Sequence, residues 1–394
     1  MRIVDVCAFY SPRGGGVRTY VERKLAAARP GVEEVIVVAP GKRTGVARET
    51  PAGRILTIEA PAFPLDRRYH YFRDEPALHA LLDELQPDVL EASSPWSSAS
   101  MVARWPGRAV RSLVMHADPL AAYAYRWFGG IASRDQIDRG FDMFWRHLRN
   151  LDRDFDMVIS ASDSLSTRLT AGGLAKVRTI PMGVDPGLFS PARRDETLRR
   201  DLLERCALGP DATLLLGLGR HAAEKRWPMV IEAITAMAAR HPIGFVLLGD
   251  GRERAKVVRA ARSNPHVQLL APITDRQALA TIVASADALV HGCEAETFCI
   301  AAAEAKASGL PLIVPDEGGA SDQFVAGAGE RYAARSATAL ADAILRFARN
   351  GPETYLAEAR RSAGAVPSMD DHMRWLFDAY RDAGTTGRKL AYAA

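Results

Sequence analysis

The sequence predicts an α/β protein built as two doubly wound, Rossmann-like parallel-sheet domains. Three observations predict it. Short apolar runs alternate with helical patterns along the whole chain, and repeated βα units make parallel sheets with helices on both faces. The 394 residues exceed what one ordinary core accommodates. The runs also fall into two series of similar size, separated near 185–197 by a charged stretch with Pro186, Gly187 and Pro191. The domains expected are 1–190, joined by a C-terminal helix over 368–394, and 191–367.

The first series of strands is read at 3–9, 34–39, 55–60, 89–92, 112–116, 157–160 and 177–181. The second is read at 213–218, 245–249, 267–270, 288–291, 312–314 and 331–333. An Ala-rich stretch over 298–308 reads as a helix that Gly309 stops, between the buried strands 288–291 and 311–315. The last stretch, 369–380, is amphipathic through Met373, Trp375, Leu376, Phe377 and Tyr380.

Composition narrows the function. Apolar residues make up 48% and charged residues 25%, the balance of an ordered globular chain. A net charge of +4, without a Lys/Arg block of six, argues against a dedicated nucleic-acid binder. The four cysteines, Cys7, Cys206, Cys293 and Cys299, show no CxxC spacing and read as reduced cytosolic thiols. The start reads as a first strand rather than a signal peptide, because Asp5 interrupts any apolar leader. No window of about 18 uncharged apolar residues offers a membrane span. The expectation is a cytoplasmic chain.

In open α/β sheets ligands gather at the carboxyl ends of the strands, so the informative residues lie just after them. Glu296 sits on the turn after strand 288–291, with Thr297, Phe298, Cys299 and Ile300 leading into the helix. Glu304 lies within that helix, about 9 Å along the axis if the helix begins at Phe298. Between the two acids, the free N–H groups of the helix start suit a phosphate.

Gly219, Arg220 and Lys225 follow strand 213–218, where a guanidinium fork and an ammonium suit a diphosphate. Two solvated surface cations are the plainer reading. Gly249 and Asp250 follow the next strand, lining a base or only making a turn. The loop with Gly14, Gly15 and Gly16 follows the first strand and lacks the GxGxxG spacing of dinucleotide sites. His116 closes strand 112–116, where its pKa suits proton or hydrogen-bond work; a satisfied structural histidine is the alternative.

Asp152 and Asp154 form a DxD that reads as a solvated helix end, and no His/Cys/carboxylate set has metal-binding spacing. Two aromatic-basic segments, 63–73 and 123–128, suit a membrane interface or an acceptor, with core packing of the aromatics as the plainer reading.

Together these residues resemble retaining glycosyltransferases of the GT-B fold, family 4. The likeness rests on Gly14-Gly15-Gly16, on Arg220 with Lys225, and on Glu296 and Glu304 followed by Ala307, Gly309 and Pro311. It also includes Gly183 with Asp185, Gly249-Asp250-Gly251, and Ala284 with Asp287, and it is densest in the second half. Where that family usually reads Glu-Gly-Phe-Gly, this chain has Glu296-Thr297-Phe298-Cys299.

The resemblance implies a nucleoside-diphosphate sugar (UDP- or GDP-linked) as donor and no other cofactor. It implies transfer of a hexose with retention at the anomeric carbon, without a metal. By the same resemblance Arg220 and Lys225 would neutralise the departing diphosphate, Glu296 would bind sugar hydroxyls and Glu304 ribose hydroxyls. His116 would lie near the reacting sugar, the Gly14–Gly16 loop would approach the diphosphate and the acceptor, and the C-terminal helix would cross back onto the first domain. Lipid-linked, glycan and small-molecule acceptors all fit; the basic-aromatic segments favour a lipid-linked acceptor, with peripheral contact at the inner membrane face. Two rivals stay open, a sugar-nucleotide hydrolase or epimerase of the same fold and a non-catalytic sugar-nucleotide binder.

Overall fold

A computed structural model describes residues 1–12, 16–64, 69–118, 120, 134–238 and 240–392. The chain divides into two compact units. One comprises the described residues of Met1–Leu120, Trp127–Pro181 and Asp370–Ala394; the other comprises Met182–Met369 with a short segment that lies outside the described residues. The division falls between Pro181 and Met182, ahead of the expected 190/191 break.

Among the described residues of the first unit, eight strands form one sheet. They are β1 Arg2–Val6, β2 Glu34–Gly41, β3 Gly45–Thr50, β4 Gly53–Glu59, β5 Val89–Ala92, β6 Val110–Met115, β7 Met157–Ser160 and β8 Val177–Thr179. Their order is β3-β4-β2-β1-β5-β6-β7-β8, parallel except where β3 pairs with β4. β3 is absent from the sequence reading because nearly all its residues are exposed, so it carries no apolar signal. The first strand ends at Val6 rather than at residue 9, and Phe9 is exposed.

The second unit has six strands, β9 Thr213–Leu218, β10 Ile243–Leu248, β11 Val267–Leu270, β12 Ala288–Val290, β13 Leu312–Pro315 and β14 Gly329–Tyr332. All pair in parallel, in the order β11-β10-β9-β12-β13-β14. The order reverses between β9 and β12, which is the switch point where doubly wound sheets bind ligands. One face of the sheet packs on the helix Trp227–Ala238 through Trp227, Val230, Ile231 and Ile234, a stripe at helical spacing. Phe245 and Leu247 of β10 and Leu340, Ile344 and Phe347 of the helix Ala337–Asn350 complete this core. Each large apolar side chain buried here contributes about 1.5–3 kcal/mol of transfer free energy.

The C-terminal helix Met369–Tyr392 joins the first unit from Asp370 onward. Met369, Met373, Leu376, Phe377 and Tyr380 are buried at i, i+4, i+7, i+8 and i+11. Trp375, expected on that stripe, falls off it and is exposed. Tyr380 donates to Glu91, and Tyr20 bonds His372 at 3.0 Å. Beneath them lies a charged group with no exposure: Lys24 reaches Asp5 at 3.0 Å and also Glu91, while Ser93 donates to both carboxylates. Burial alone would lower the Lys24 pKa, but the two carboxylates outweigh it and raise it. Burial, with Glu91 adding to it, raises the Asp5 pKa.

Asp152 of the DxD is not a solvated helix end. It is buried and accepts the backbone N–H groups of Ala175 (2.9 Å) and Lys176 (3.0 Å), a structural cap. Among the described residues no helix is long and apolar enough to cross a membrane.

Candidate functional site

The second unit collects its charged residues at the β9/β12 switch point. β9 ends at Leu218, and the chain turns through Gly219 into the short helix Ala223–Lys225. Trp227 anchors the turn, its indole N–H donating to the Arg220 carbonyl at 3.0 Å. The loop after β10 lies directly against it: His221 N–H donates to the Asp250 carbonyl at 2.8 Å. A Cβ at Gly249 would stand 2.0 Å from the Gly219 carbonyl oxygen, so only glycine permits that approach. Asp250 accepts from the Gly251 N–H at 2.8 Å and is largely exposed. The turn reading of Gly249 and Asp250 therefore has its physical reason.

β12 ends at Val290, and residues 291–299 form the facing loop. Lys225 pairs with Glu296, and His291 Nε2 stands 3.5 Å from the same Glu296 oxygen. Next to this, Arg226 grips Glu294 with two hydrogen bonds at 2.9 and 2.5 Å. The loop is tied down by Gly319 N–H to the Glu296 carbonyl (2.8 Å) and by Gln323 to the Phe298 carbonyl (3.2 Å). Phe298 is buried, whereas Ile300 is exposed. Arg220 is 79% exposed, with Glu224 at 3.3 Å, so its guanidinium is presented to solvent at the strand end.

The helix that follows runs from Ile300 to Ala307, two residues shorter at its start than the sequence suggests. Cys299 precedes it with φ 63° and ψ 71°, a left-handed conformation that glycine adopts freely. The helix start carries no side-chain cap, so its first N–H groups keep their partial positive charge. Its end is a Schellman turn: Gly309 has φ +65°, its N–H bonds the Lys306 carbonyl, and Leu310 N–H bonds the Ala305 carbonyl.

Glu304 lies about 6 Å along the axis from Ile300, not 9 Å from Phe298. It is buried, and burial raises its pKa against the opposing pull of Arg276, which donates to its Oε1 at 2.6 Å. Arg276 also bonds Asp185 at 3.0 Å and stacks over Phe189.

The sequence reading therefore brings Gly219, Arg220, Lys225, Gly249, Asp250, Glu296, Thr297, Phe298, Cys299, Ile300 and Glu304 to the carboxyl edge of one sheet. It missed Arg226, Arg276, Glu294, His221 and His291. Among the described residues, His221 and His291 are buried with no hydrogen-bond partner for either ring nitrogen, and burial lowers the pKa of both. An apolar run ending in histidine was the one available signal for His291.

The remaining predicted positions lie in the first unit or outside the described residues. His116 is in the first unit, just after β6, with its ring 4.7 Å from that of Tyr20; burial lowers its pKa to about 4. Gly16 begins the helix Gly16–Ala27, also in the first unit. Gly14 and Gly15, the segment 123–128 and residues 65–68 of the segment 63–73 lie outside the described residues.

Two doubly wound parallel-sheet units, the second with cations and carboxylates at its switch point, make this a protein of the GT-B class. The profile described as Glycosyl transferases group 1 matches residues 202–363, and that described as Glycosyltransferase Family 4 matches residues 14–188. A GDP-mannose-dependent alpha-mannosyltransferase of Mycolicibacterium smegmatis is 31% identical over 332 residues, 82% of this chain and 81% of the relative. A GDP-mannose-dependent alpha-(1-6)-phosphatidylinositol dimannoside mannosyltransferase of Mycobacterium tuberculosis is 31% identical over 318 residues, 80% of this chain and 79% of the relative. Among solved structures, sucrose-phosphate synthase from Thermosynechococcus elongatus superimposes with a TM-score of 0.74 at 22% identity, covering 100% of both chains. The chain belongs to glycosyltransferase family 4 and is a glycosyltransferase of GT-B type.

Proposed function

We propose that this enzyme transfers mannose from GDP-mannose, with retention at the anomeric carbon, to a mannosylated lipid acceptor. The observation that carries the reading is the Lys225–Glu296 pair at the β9/β12 switch point, in a chain whose relatives of matching length are GDP-mannose-dependent. In this reading Arg220 and Lys225 offset the charge that develops on the departing diphosphate. Glu296 holds sugar hydroxyls. Glu304, with Oε1 committed to Arg276, offers its other oxygen to the ribose. Thr297, Phe298, Cys299 and Ile300 line the donor, together with Gly219, Gly249 and Asp250; a part for Gly15 and Gly16 rests on the family resemblance alone. The role assigned to His116, beside the reacting sugar, comes from family resemblance and is probed separately by His116→Ala. The enzyme uses no metal for the transfer, and it meets its acceptor at the cytoplasmic face of a membrane.

The test is turnover of a panel of GDP-, UDP-, ADP- and TDP-sugars with phosphatidylinositol dimannoside as acceptor, with the anomeric configuration of the product read by NMR. An α-mannoside formed from GDP-mannose alone is the expected result. Preference for another donor, or an inverted product, overturns the reading. Arg220→Ala should lower turnover by about 10² or more, as for other charge-stabilising donors; an unchanged rate removes Arg220 from the role.

A further inference from the structure

His291, Glu296 and Cys299 form a set of metal-ligating groups whose histidine has no part in the sugar-nucleotide reading. One ligand atom from each lies within 4.8 Å of the others. No linear motif announces the set, because the histidine directly follows β12, the carboxylate sits further along the loop and the thiol on its left-handed last residue. The histidine is the telling member. It is 1% exposed, neither ring nitrogen has a hydrogen-bond partner among the described residues, and Nε2 stands 3.5 Å from Glu296. An unbonded imidazole in such a place costs stability unless something fills its valence. Its position is fixed from both sides of the peptide: His291 N–H donates to the Ile313 carbonyl at 3.0 Å, and the Tyr332 hydroxyl donates to the His291 carbonyl at 2.7 Å. Cys299 is 3% exposed, and its Cβ is accepted in a backbone conformation that disfavours it.

We propose that His291, Glu296 and Cys299 bind a soft divalent cation of the zinc class, and that the bound cation and the sugar nucleotide exclude one another. Imidazole nitrogen, carboxylate oxygen and thiolate sulfur are the zinc ligand set, and a thiolate selects against magnesium and calcium. Bonds of about 2.0–2.3 Å place tetrahedral ligands roughly 3.5 Å apart, so the set needs only a contraction of about 1 Å. The Cys299 thiol gives its proton to solvent as the sulfur–metal bond forms. Carboxylate and thiolate then offset the two positive charges, and the fourth position stays open for water. Glu296 must leave Lys225 to serve the cation. The exclusion, which alone rests on the donor site proposed above, follows because one carboxylate cannot hold both the cation and the sugar hydroxyls.

The experiment titrates Co²⁺ into the full chain and records electronic absorption. A thiolate-to-cobalt charge-transfer band with intense tetrahedral d–d bands should saturate at one equivalent and collapse on adding Zn²⁺. Cys299→Gly, which suits the left-handed turn and so retains the fold, should abolish the band, and Cys293→Ala should keep it. Absence of the band, its survival in Cys299→Gly, or its loss in Cys293→Ala overturns the site. GDP-mannose at saturation should bleach the band; if calorimetry shows the nucleotide bound while the band persists, the exclusion is overturned. A chain that binds cobalt through Cys299 yet takes up no GDP-mannose would fail the donor reading and leave the metal site standing.

Discussion

Lys24 is the residue whose loss the first unit should feel most. The substitution Lys24→Met keeps the length and apolar stem of the side chain and deletes only the ammonium. Left behind are Asp5 and Glu91, both with no exposure, whose remaining donors are Ser93 for each and Tyr380 for Glu91. Removing one partner from a buried ionic group costs about 3–5 kcal/mol, because the remaining charge has neither solvent nor counter-ion. For a unit of this size, at about 2–4 °C per kcal/mol, the melting temperature should fall by roughly 6–20 °C. The sign of the pH dependence adds a second check. Without the ammonium, burial and the neighbouring Glu91 keep Asp5 at a raised pKa, so the folded variant holds a proton that the unfolded chain has released. The variant's deficit is then largest near neutral pH and shrinks by up to about 1.4 kcal/mol per pH unit as acid supplies that proton. Urea melts followed by far-UV circular dichroism, run on both proteins near pH 7 and near pH 5, measure it. A deficit under about 1 kcal/mol, or one that does not change with pH, would refute the account of this cluster.

Two further outcomes follow from the structure. His372 is buried and burial holds its pKa near 4, below the ordinary 6.5, so its contribution is intact above pH 6.5 and is lost as pH falls toward 4. That amounts to about 2 kcal/mol at pH 5 by linkage, and His372→Gln should remove this acid-side slope from the urea midpoints; equal slopes in both proteins would reject it. Gly249→Ala puts a methyl 2.0 Å from the Gly219 carbonyl, so the second unit should lose about 1–3 kcal/mol in thermal melts, and an unshifted melt would mean the two loops separate freely.

What the sequence made legible was whatever a local pattern encodes. β9, β12 and β13 are continuous apolar runs, and Glu296 precedes while Glu304 lies within an Ala-rich helix with a glycine stop, so strand ends and the acids beside them could be read directly. The ion pairs could not. Lys225 and Glu296 are 71 positions apart, Arg276 and Glu304 are 28, and nothing in either neighbourhood marks the partner. β3 was invisible because an exposed edge strand needs no apolar residues. Trp375 misled in the opposite sense, being apolar by type but about half a turn away from the buried stripe. The likeness to the family located Cys299 as a departure, while the φ of 63° at that position shows why glycine usually stands there.

Because the helix Met369–Tyr392 supplies Tyr380 to Glu91 and His372 to Tyr20, the first unit is built from segments that flank the second in the sequence. On a translating ribosome, residues 182–369 emerge as one uninterrupted stretch and have what they need to fold while synthesis continues. The amino-terminal sheet emerges first but is completed later: until the helix Met369–Tyr392 has been made, Glu91 lacks the Tyr380 phenol and the buried stripe of Met373 and Phe377 is missing. A nascent chain stalled short of residue 370 would therefore hold one finished half and one that still presents its interior to chaperones.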